Sequence, residues 1–504
     1  MIAGSDGTPR VRLKQKSTHV RHRNSMKSAS LQFWRTGVLG LLALFVVMAL
    51  AIMIGWIGFL ASDDSLYFVG AAHWLSDPPF AGDNHWTTRF PLLWSFAAML
   101  SLFGRGFVAF AATALLWYSV LVILVGLFAW RVGGATVGWI AAMIAATLPV
   151  IVTNGTTVGV DLLETALLLG GAWLLGDAGT GRGAMARGLL AGLCFGTAII
   201  CRETSLLALV AMGPLLLAGR PVPRVVVIAA GVGLATVLGG EALFQWVLTD
   251  DPLRRYAIAF NHDAHIDRAA NHEGNLLLHP VVDPLLVLLV NDDFGLLFWV
   301  AGLGGWTMRR SGFRIAKSGP ILILAAMALA DFVLVAVLAE KLVLNPRYFM
   351  LPAILAIVIA ALWLSVLSNR WRWPVLIAIL GVNLLMLSVG NAHPRWEMEA
   401  LIIASAAHPR EVVRGDPVMV RRAQLPMKFA GRSNLRPTPG VPGGLIVAPL
   451  SRAPAGTVLA RYPSPPTRLG GLITAVGLQN YVPAALQRRM FAPNETMVLV
   501  RTPQ

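Results

Sequence analysis

Residues 36–60 read TGVLGLLALFVVMALAIMIGWIGFL, an uninterrupted apolar run of 25 residues. As a helix this run would be about 37 Å long, enough to cross the roughly 30 Å hydrocarbon core of a bilayer. Comparable apolar blocks recur along the chain as far as residue 390. Because a backbone inside lipid must satisfy its own hydrogen bonds, such blocks form helices there. The sequence therefore predicts an all-α polytopic membrane protein.

The composition agrees with a membrane protein. The chain has 504 residues, of which 56% are hydrophobic and 13% charged, and its mean hydropathy is +0.67. Soluble domains are closer to a quarter charged. Much of the net charge of +16 lies at the edges of the apolar blocks, so it indicates membrane orientation and not nucleic-acid binding. The two cysteines, Cys194 and Cys201, fit no disulfide or metal-site pattern.

The charges around the apolar blocks predict the topology. Residues 1–35 contain eight Lys/Arg and one acid, and the block that follows is too long for a cleaved signal peptide. We therefore expect a basic cytoplasmic segment and a retained first helix. We predict eleven helices, with an N-in/C-out orientation, near 36–60, 107–130, 134–152, 158–176, 188–201, 203–219, 224–248, 285–307, 319–339, 347–368 and 373–390.

The count depends on residues 188–219, where Cys201-Arg202-Glu203 interrupts a long apolar run. Two spans there give eleven helices, whereas one span gives ten. With eleven, the basic loops lie on the cytoplasmic side throughout, as the positive-inside rule requires. With ten, the later basic loops would face outside.

The chain divides into three predicted parts: the segment 1–35, a transmembrane module 36–390, and a C-terminal domain 391–504. The module has two long outer loops, 61–106 and 249–284. Strand-like runs at Gly444–Ala448 and Thr496–Val500 indicate a small extracytoplasmic α/β domain. This domain carries fourteen Lys/Arg against five Asp/Glu, which suits an anionic membrane surface or lipopolysaccharide as well as ordinary solubility.

Acidic side chains collect at the predicted outer rim. Asp63 and Asp64 follow the first helix directly, and Asp161 and Glu164 share one face of the fourth helix. Asp331 lies in the middle of a later helix. Carboxylates near or within a membrane are costly unless compensated, so they are functional candidates. The alternatives are a solvated helix cap for the adjacent pair and structural pairing with Arg or Lys for Asp331.

Several basic residues lie on the outer side, against the positive-inside trend. Guanidinium groups suit an anionic ligand, although pairing with lipid headgroups is the alternative. In Asn345-Pro346-Arg347-Tyr348, Arg347 and Tyr348 open a helix whose N-terminus favours a phosphate. The outer basic residues are Arg89, Arg202, Arg254, Arg255, Arg268, Lys341 and Arg347.

The order of these motifs resembles that of the polyprenyl-phosphate-sugar-dependent glycosyltransferases of the GT-C fold. The similarity rests on the paired acids, Arg89-Phe90-Pro91-Leu92, Asp161, Arg202-Glu203-Thr204 and Arg347-Tyr348 with Pro352. The branch that looks most similar contains protein mannosyltransferases, the lipid A aminoarabinose transferase and rhizobial lipopolysaccharide galacturonosyltransferases. The resemblance covers residues 36–390.

The resemblance implies an inverting glycosyltransferase in which Asp63 is the general base, with Asp64 as the alternative. Relatives usually carry Glu at the second position, so the role of Asp64 stays open. The resemblance further implies two groups of site residues. The donor phosphate would contact Arg347, Tyr348, Arg202 and Arg89, and the supporting acids would be Asp161, Glu164 and Glu203.

The implied partners are a polyprenyl-phosphate sugar, membrane lipids and a lipid, glycan or protein acceptor, without nucleic acid. The implied location is a bacterial inner membrane, with the site on the extracytoplasmic face and a role in lipopolysaccharide biosynthesis or the cell envelope. The metal requirement stays open, because the paired acids permit a divalent metal but no His/Asp cluster demands one. One further group, in the second outer loop, fits no defined metal site: His262, Asp263, His265, Asp267 and His272.

Two other functions remain open from the sequence. A transporter or flippase would show inverted repeats or broken midplane helices, and neither is visible. A non-catalytic assembly subunit for polysaccharide export would need neither Asp63 nor Arg347.

Overall fold

A computed structural model describes residues 37–179, 181–262, 282–313, 318–338, 344–390, 395–439 and 441–503. It confirms the predicted fold class, because a large helical module precedes a small C-terminal sheet. The helices of the module are α1 Gly37–Gly55, α2 Asp63–Ser76, α3 Phe90–Phe103, α4 Phe107–Gly133, α5 Ala135–Thr147, α6 Pro149–Gly155, α7 Asp161–Gly176, α8 Arg182–Cys201, α9 Ser205–Leu209, α10 Met212–Ala218, α11 Arg224–Thr249, α12 Arg254–His262, α13 Asp283–Val290, α14 Leu297–Arg310, α15 Ser318–Val337, α16 Met350–Val366 and α17 Asn369–Gly390.

Within these ranges, seven helices are long and apolar enough to cross a bilayer: α1, α4, α8, α11, α15, α17, and α16 with the 3-10 turn Pro346–Phe349 before it. The pair α5 and α6, bent by 64°, would make an eighth. Shorter helices lie in the other predicted spans, among them the apolar stretch Ser205–Ala218. The number of eleven spans and the N-in/C-out orientation remain predictions.

Helices α8 and α11 pack closely through a stripe of glycines. A Cβ added at Gly188 or Gly192 would lie 2.5 Å from the carbonyl oxygen of Val226 or 1.9 Å from that of Ala230, respectively. The residue numbers of the contacting pairs increase in the same direction along both helices, so α8 and α11 run parallel. The chain between them, including α9 and α10, must therefore return to the opposite end of the bundle.

This close packing gives a testable prediction. Gly192→Ala should destabilise the bundle by about 1–3 kcal/mol, because its methyl group would overlap the backbone of α11. Thermal unfolding in detergent measures the change. The matched control is Gly183→Ala in the same helix, where a Cβ meets nothing within 4 Å. Equal transition temperatures for the two variants would contradict the packing.

The prediction of one helix over 285–307 is wrong, because the chain forms α13 and α14 with a break between them. The side chain of Asn291 accepts a hydrogen bond from the amide of Asp293 at 2.8 Å, in competition with helical bonding. Gly295 then adopts a φ of 54°. Asp292 in the break accepts a 2.6 Å hydrogen bond from Arg489 of the C-terminal domain.

The first outer loop is largely helical, since α2 and α3 lie within residues 61–106. Apolar side chains of these helices, such as Phe68 and Phe96, belong to one hydrophobic core with Leu445 and Leu499 of the C-terminal sheet. The C-terminal domain therefore packs on the first outer loop, which contains Asp63.

The C-terminal domain contains five strands in the order β2-β1-β3-β5-β4. These are β1 Val413–Gly415, β2 Leu435–Pro437, β3 Leu445–Pro449, β4 Thr457–Tyr462 and β5 Met497–Arg501. β1 pairs in parallel with β2 and β3, whereas β5 is antiparallel to β3 and β4. The remaining helices are α18 Trp396–Ala407, α19 Pro417–Phe429, α20 Arg468–Ala475 and α21 Ala484–Phe491, the last two between β4 and β5.

Candidate active site

The two adjacent acids after α1 have different surroundings. The Asp64 side chain is buried, with the residue 2% exposed, and its carboxylate accepts hydrogen bonds from the amides of Leu60 (2.6 Å), Ser62 (2.8 Å) and Ser65 (3.0 Å). Burial raises the pKa of Asp64 to about 6, although the three amides lower it. Asp64 thus holds the backbone in front of α2.

Backbone conformation explains why this loop needs such support. Ala61 has a φ of 59°, a left-handed conformation that costs an L-residue about 1–2 kcal/mol. Two further contacts hold the loop from outside: Arg395 donates to the carbonyl of Phe59 at 2.7 Å, and Gly58 donates to the carbonyl of Thr156 at 3.0 Å. The position of Asp63 is therefore set by bonds from the C-terminal domain and from the end of α6.

Asp63, in contrast, is accessible. Its side chain is 34% exposed, and its Oδ2 lies 3.9 Å from Nη1 of Arg347. A general base must first reach the proton that it removes, and its pKa matters only then. The oxygens of Asp64 are occupied by backbone amides, so the geometry favours Asp63 as the base.

Arg347 stands between two acids. Besides its contact with Asp63, its Nε lies 4.0 Å from Oδ1 of Asp161. The 3-10 turn that carries it begins at Pro346 and is capped by Asn345, whose side chain accepts from the amide of Arg347 at 3.1 Å. Both acid contacts are long, so the guanidinium retains donors for a further anionic group.

Arg202 forms the buried centre of the cluster. Its Nη1 lies 2.5 Å from Oδ1 of Asp161 and 3.7 Å from Oε2 of Glu164, and its guanidinium lies 4.2 Å from the ring centre of Tyr348. Ser205 donates to Oε1 of Glu164 at 2.6 Å. The end of α8 thereby meets the first turn of α7, whose two acids share one face as the spacing predicts.

A buried ion pair of this kind predicts strong coupling. Arg202→Leu should cost about 3–5 kcal/mol, because it leaves Asp161 buried without its cation. The double variant Arg202→Leu with Asp161→Asn should recover part of this loss in thermal unfolding. Arg131→Leu is the control: its pair with Asp177 is more exposed and should matter less. Purely additive effects of Arg202→Leu and Asp161→Asn would argue against the coupling.

A small cavity brings several of these side chains together. It is lined by polar residues from four separate segments of the chain, namely Glu164, Arg202, Thr204, Ser205, Asp331, Arg347 and Tyr348, and by Met350 and Leu351 among its apolar walls. Asp331 of α15, predicted as an intramembrane acid, is one of its buried walls. Two carboxylates and two guanidinium groups therefore line one space together.

The assignment of Arg89 to the donor phosphate has no support in the geometry. Arg89 is buried, donates to the hydroxyl of Tyr67, and lies 2.5 Å from Nε2 of His85. It is not part of the wall of the cavity just described. Its contacts hold α2 against the loop before α3.

Arg255 is a neighbour that the sequence did not distinguish from the other outer arginines. It is fully buried, donates to the carbonyl of Thr88 at 2.6 Å, and pairs with Oε1 of Glu203 at 2.6 Å. The one feature of the sequence that pointed to Arg255 was its predicted place on the outer side of the membrane.

The structure offers no support for a metal site among the residues it describes, since no three His, Cys, Asp or Glu side chains there could hold an ion. Most of the group in the second outer loop, and two of the outer basic residues, cannot be placed. Asp263, His265, Asp267, Arg268, His272 and Lys341 lie outside the described residues, as does the side chain of His262.

Residues 90–239 match the profile of the dolichyl-phosphate-mannose-protein mannosyltransferase family. No curated protein sequence is significantly similar to the chain.

Solved structures cover far more of the chain. ArnT from Cupriavidus metallidurans is similar in the apo state, with a TM-score of 0.56, 13% identity, and coverage of 94% of this chain and 100% of that one. The same protein bound to undecaprenyl phosphate also has a TM-score of 0.56, with 14% identity and coverage of 93% and 99%.

The archaeal oligosaccharyltransferase AglB from Archaeoglobus fulgidus, in complex with an inhibitory peptide and a dolichol-phosphate, is more distant. It has a TM-score of 0.50, 13% identity, and coverage of 80% of this chain and 64% of that one. At these identities the similarity concerns the fold. The resemblance predicted from the motifs is confirmed at that level: the chain has the GT-C fold.

Proposed function

We propose that the chain is a membrane glycosyltransferase that transfers a sugar from a polyprenyl-phosphate donor to an acceptor hydroxyl or amine. One observation carries the proposal. Asp63, an accessible carboxylate, lies 3.9 Å from Arg347, and Arg347 opens onto a cavity that Arg202 also lines. Two guanidinium groups therefore line one space, and the proposed base lies beside one of them.

The chemistry follows from these groups. Asp63 takes the proton of the acceptor as the acceptor oxygen or nitrogen attacks the anomeric carbon. The bond between this carbon and the phosphate oxygen breaks on the opposite side, so the configuration inverts. The phosphate leaves with the bonding electrons, and Arg347 and Arg202 stabilise its charge. Asp161, Glu164 and Glu203 act indirectly, because they hold arginines in place.

The comparisons support the choice of donor. One similar structure contains undecaprenyl phosphate and another a dolichol-phosphate, so this fold accommodates polyprenyl phosphates. The matched family and AglB are transferases by name, which favours a transferase over a transporter. The loop charges favour an extracytoplasmic site, and the resemblance to lipid A and lipopolysaccharide transferases implies a bacterial inner membrane. A lipid, glycan or protein remains the proposed acceptor, and a lipopolysaccharide precursor fits this location.

Reconstitution in proteoliposomes tests the proposal. The purified protein is supplied with undecaprenyl phosphates carrying different radiolabelled sugars, together with envelope lipid extract. We expect the label of one donor to move to a new product and free undecaprenyl phosphate to accumulate. Movement of the intact donor between leaflets, without loss of its sugar, would instead establish the flippase hypothesis.

A further inference from the structure

The chain between β4 and β5 has an unusual charge pattern. Residues 469–487 contain no charged side chain over 19 residues, and Arg468 and Arg488-Arg489 bound them on either side. The rest of this domain is strongly basic. This tract forms α20, a turn and the start of α21, and we call it the helical insertion.

Large apolar side chains of the insertion face away from the protein. Leu472, Val476, Leu478 and Tyr481 are between 49% and 83% exposed, and we call these four residues the apolar tip. The opposite side of the insertion is anchored, since Gly470 and Met490, which follows the insertion, are both buried. Neighbouring apolar side chains exposed in this way mark a surface that binds a partner or a membrane.

The base of the insertion is fixed at the ends of two helices that can span a membrane. Arg468 donates to the carbonyl of Met53 at 3.1 Å, two residues before α1 ends at Gly55. Ser388, near the end of α17 at Gly390, donates to Thr467 at 2.9 Å. The insertion is therefore attached where the apolar belt of the bundle meets water.

The apolar tip also continues an existing lipid-facing surface. Leu50 and Met53 of α1 are exposed large apolar residues beside the attachment point, and so are many residues nearer the start of the same helix. These side chains need lipid around them. A bilayer that surrounds α1 up to Met53 thus extends to the base of the insertion.

We propose that the helical insertion is an interfacial membrane anchor that places its apolar tip in the bilayer leaflet on the side of the C-terminal domain. The tip lies among the upper acyl chains, as in amphipathic interfacial segments. Tyr481 suits this depth because it combines an apolar ring with a polar hydroxyl. Arg468 and Arg488 lie at both ends of the uncharged tract, where they interact with anionic headgroups.

Site-directed labelling of the full chain tests the anchor. Both free cysteines, Cys194 and Cys201, are first replaced by alanine. A single cysteine at Val476 or Leu478 is then labelled with an environment-sensitive fluorophore, and the protein is placed in nanodiscs of phosphatidylethanolamine and phosphatidylglycerol. Lipids with a doxyl group high on the acyl chain serve as quenchers.

The matched control is Val441→Cys, because Val441 and Leu478 are both 50% exposed. Val441 lies beside Thr502, at the end of the sheet opposite the insertion. We expect quenching at Val476→Cys and Leu478→Cys of at least twofold, a blue-shifted emission, and neither at Val441→Cys. Emission and quenching equal to those of the control would overturn the proposal.

Energy transfer between labelled copies, without quenching by the lipids, would also overturn it, because it would show that a second chain covers the apolar tip. The result is independent of enzymatic activity.

Discussion

Asp63→Asn should lower the rate of sugar transfer by about 10²–10⁴, the usual contribution of a well-placed general base. Asparagine has nearly the same shape but cannot accept the acceptor's proton at neutral pH. The side chain of Asp63 is accessible, and its ion pair with Arg347 is long at 3.9 Å, so its loss should leave folding and donor binding unchanged. The measurements are single-turnover transfer, donor affinity and thermal unfolding of the same preparation.

The neighbouring residue supplies the matched control. Asp64→Asn should mainly destabilise the protein, by about 1–3 kcal/mol, because an amide cannot accept all three hydrogen bonds from Leu60, Ser62 and Ser65. The two variants therefore separate catalysis from structure at adjacent positions. Full activity of Asp63→Asn would remove it as the base. Equal loss of stability in the two variants would show that Asp63 also has a structural role.

Arg347→Ala should weaken use of the donor roughly 30-fold, since a charge-assisted hydrogen bond to phosphate is worth about 2 kcal/mol. The effect should appear in the KM for the donor and in inhibition by free undecaprenyl phosphate. The KM of Arg347→Lys for the donor should lie between those of the unmodified protein and Arg347→Ala, because an ammonium keeps the charge but not the planar, forked geometry of a guanidinium. Stability should change little, as both acids lie near 4 Å from the guanidinium.

A control separates this specific effect from a general loss of positive charge on the same side of the molecule. Arg421→Ala removes an exposed arginine from the C-terminal domain, away from the cavity and from the helical insertion, and should leave donor kinetics unchanged. If Arg347→Ala left donor kinetics unchanged too, the phosphate site would have to be sought elsewhere.

The sequence alone was sufficient for the class of fold and for the region of the site. Apolar runs such as residues 36–60 determine helices in lipid through length and composition, which are local properties. Ionisable residues are excluded from such runs, so acids such as Asp63 and arginines such as Arg347 were predicted at the rim. The strand-like runs near Ile446 and Val498 likewise predicted the C-terminal sheet, in which the two strands pair.

Tertiary packing decided what each of these residues does. The adjacent Asp63 and Asp64 are chemically equivalent in the sequence, and only the folded loop occupies the oxygens of Asp64 with amides. Arg202 meets Asp161 across 41 residues of sequence, through the packing of α8 on α7. Pairings of this kind depend on how helices pack, and no local pattern encodes them. For the same reason, the structure was needed to place Arg89 on Tyr67 and to bury Arg255 beside Glu203.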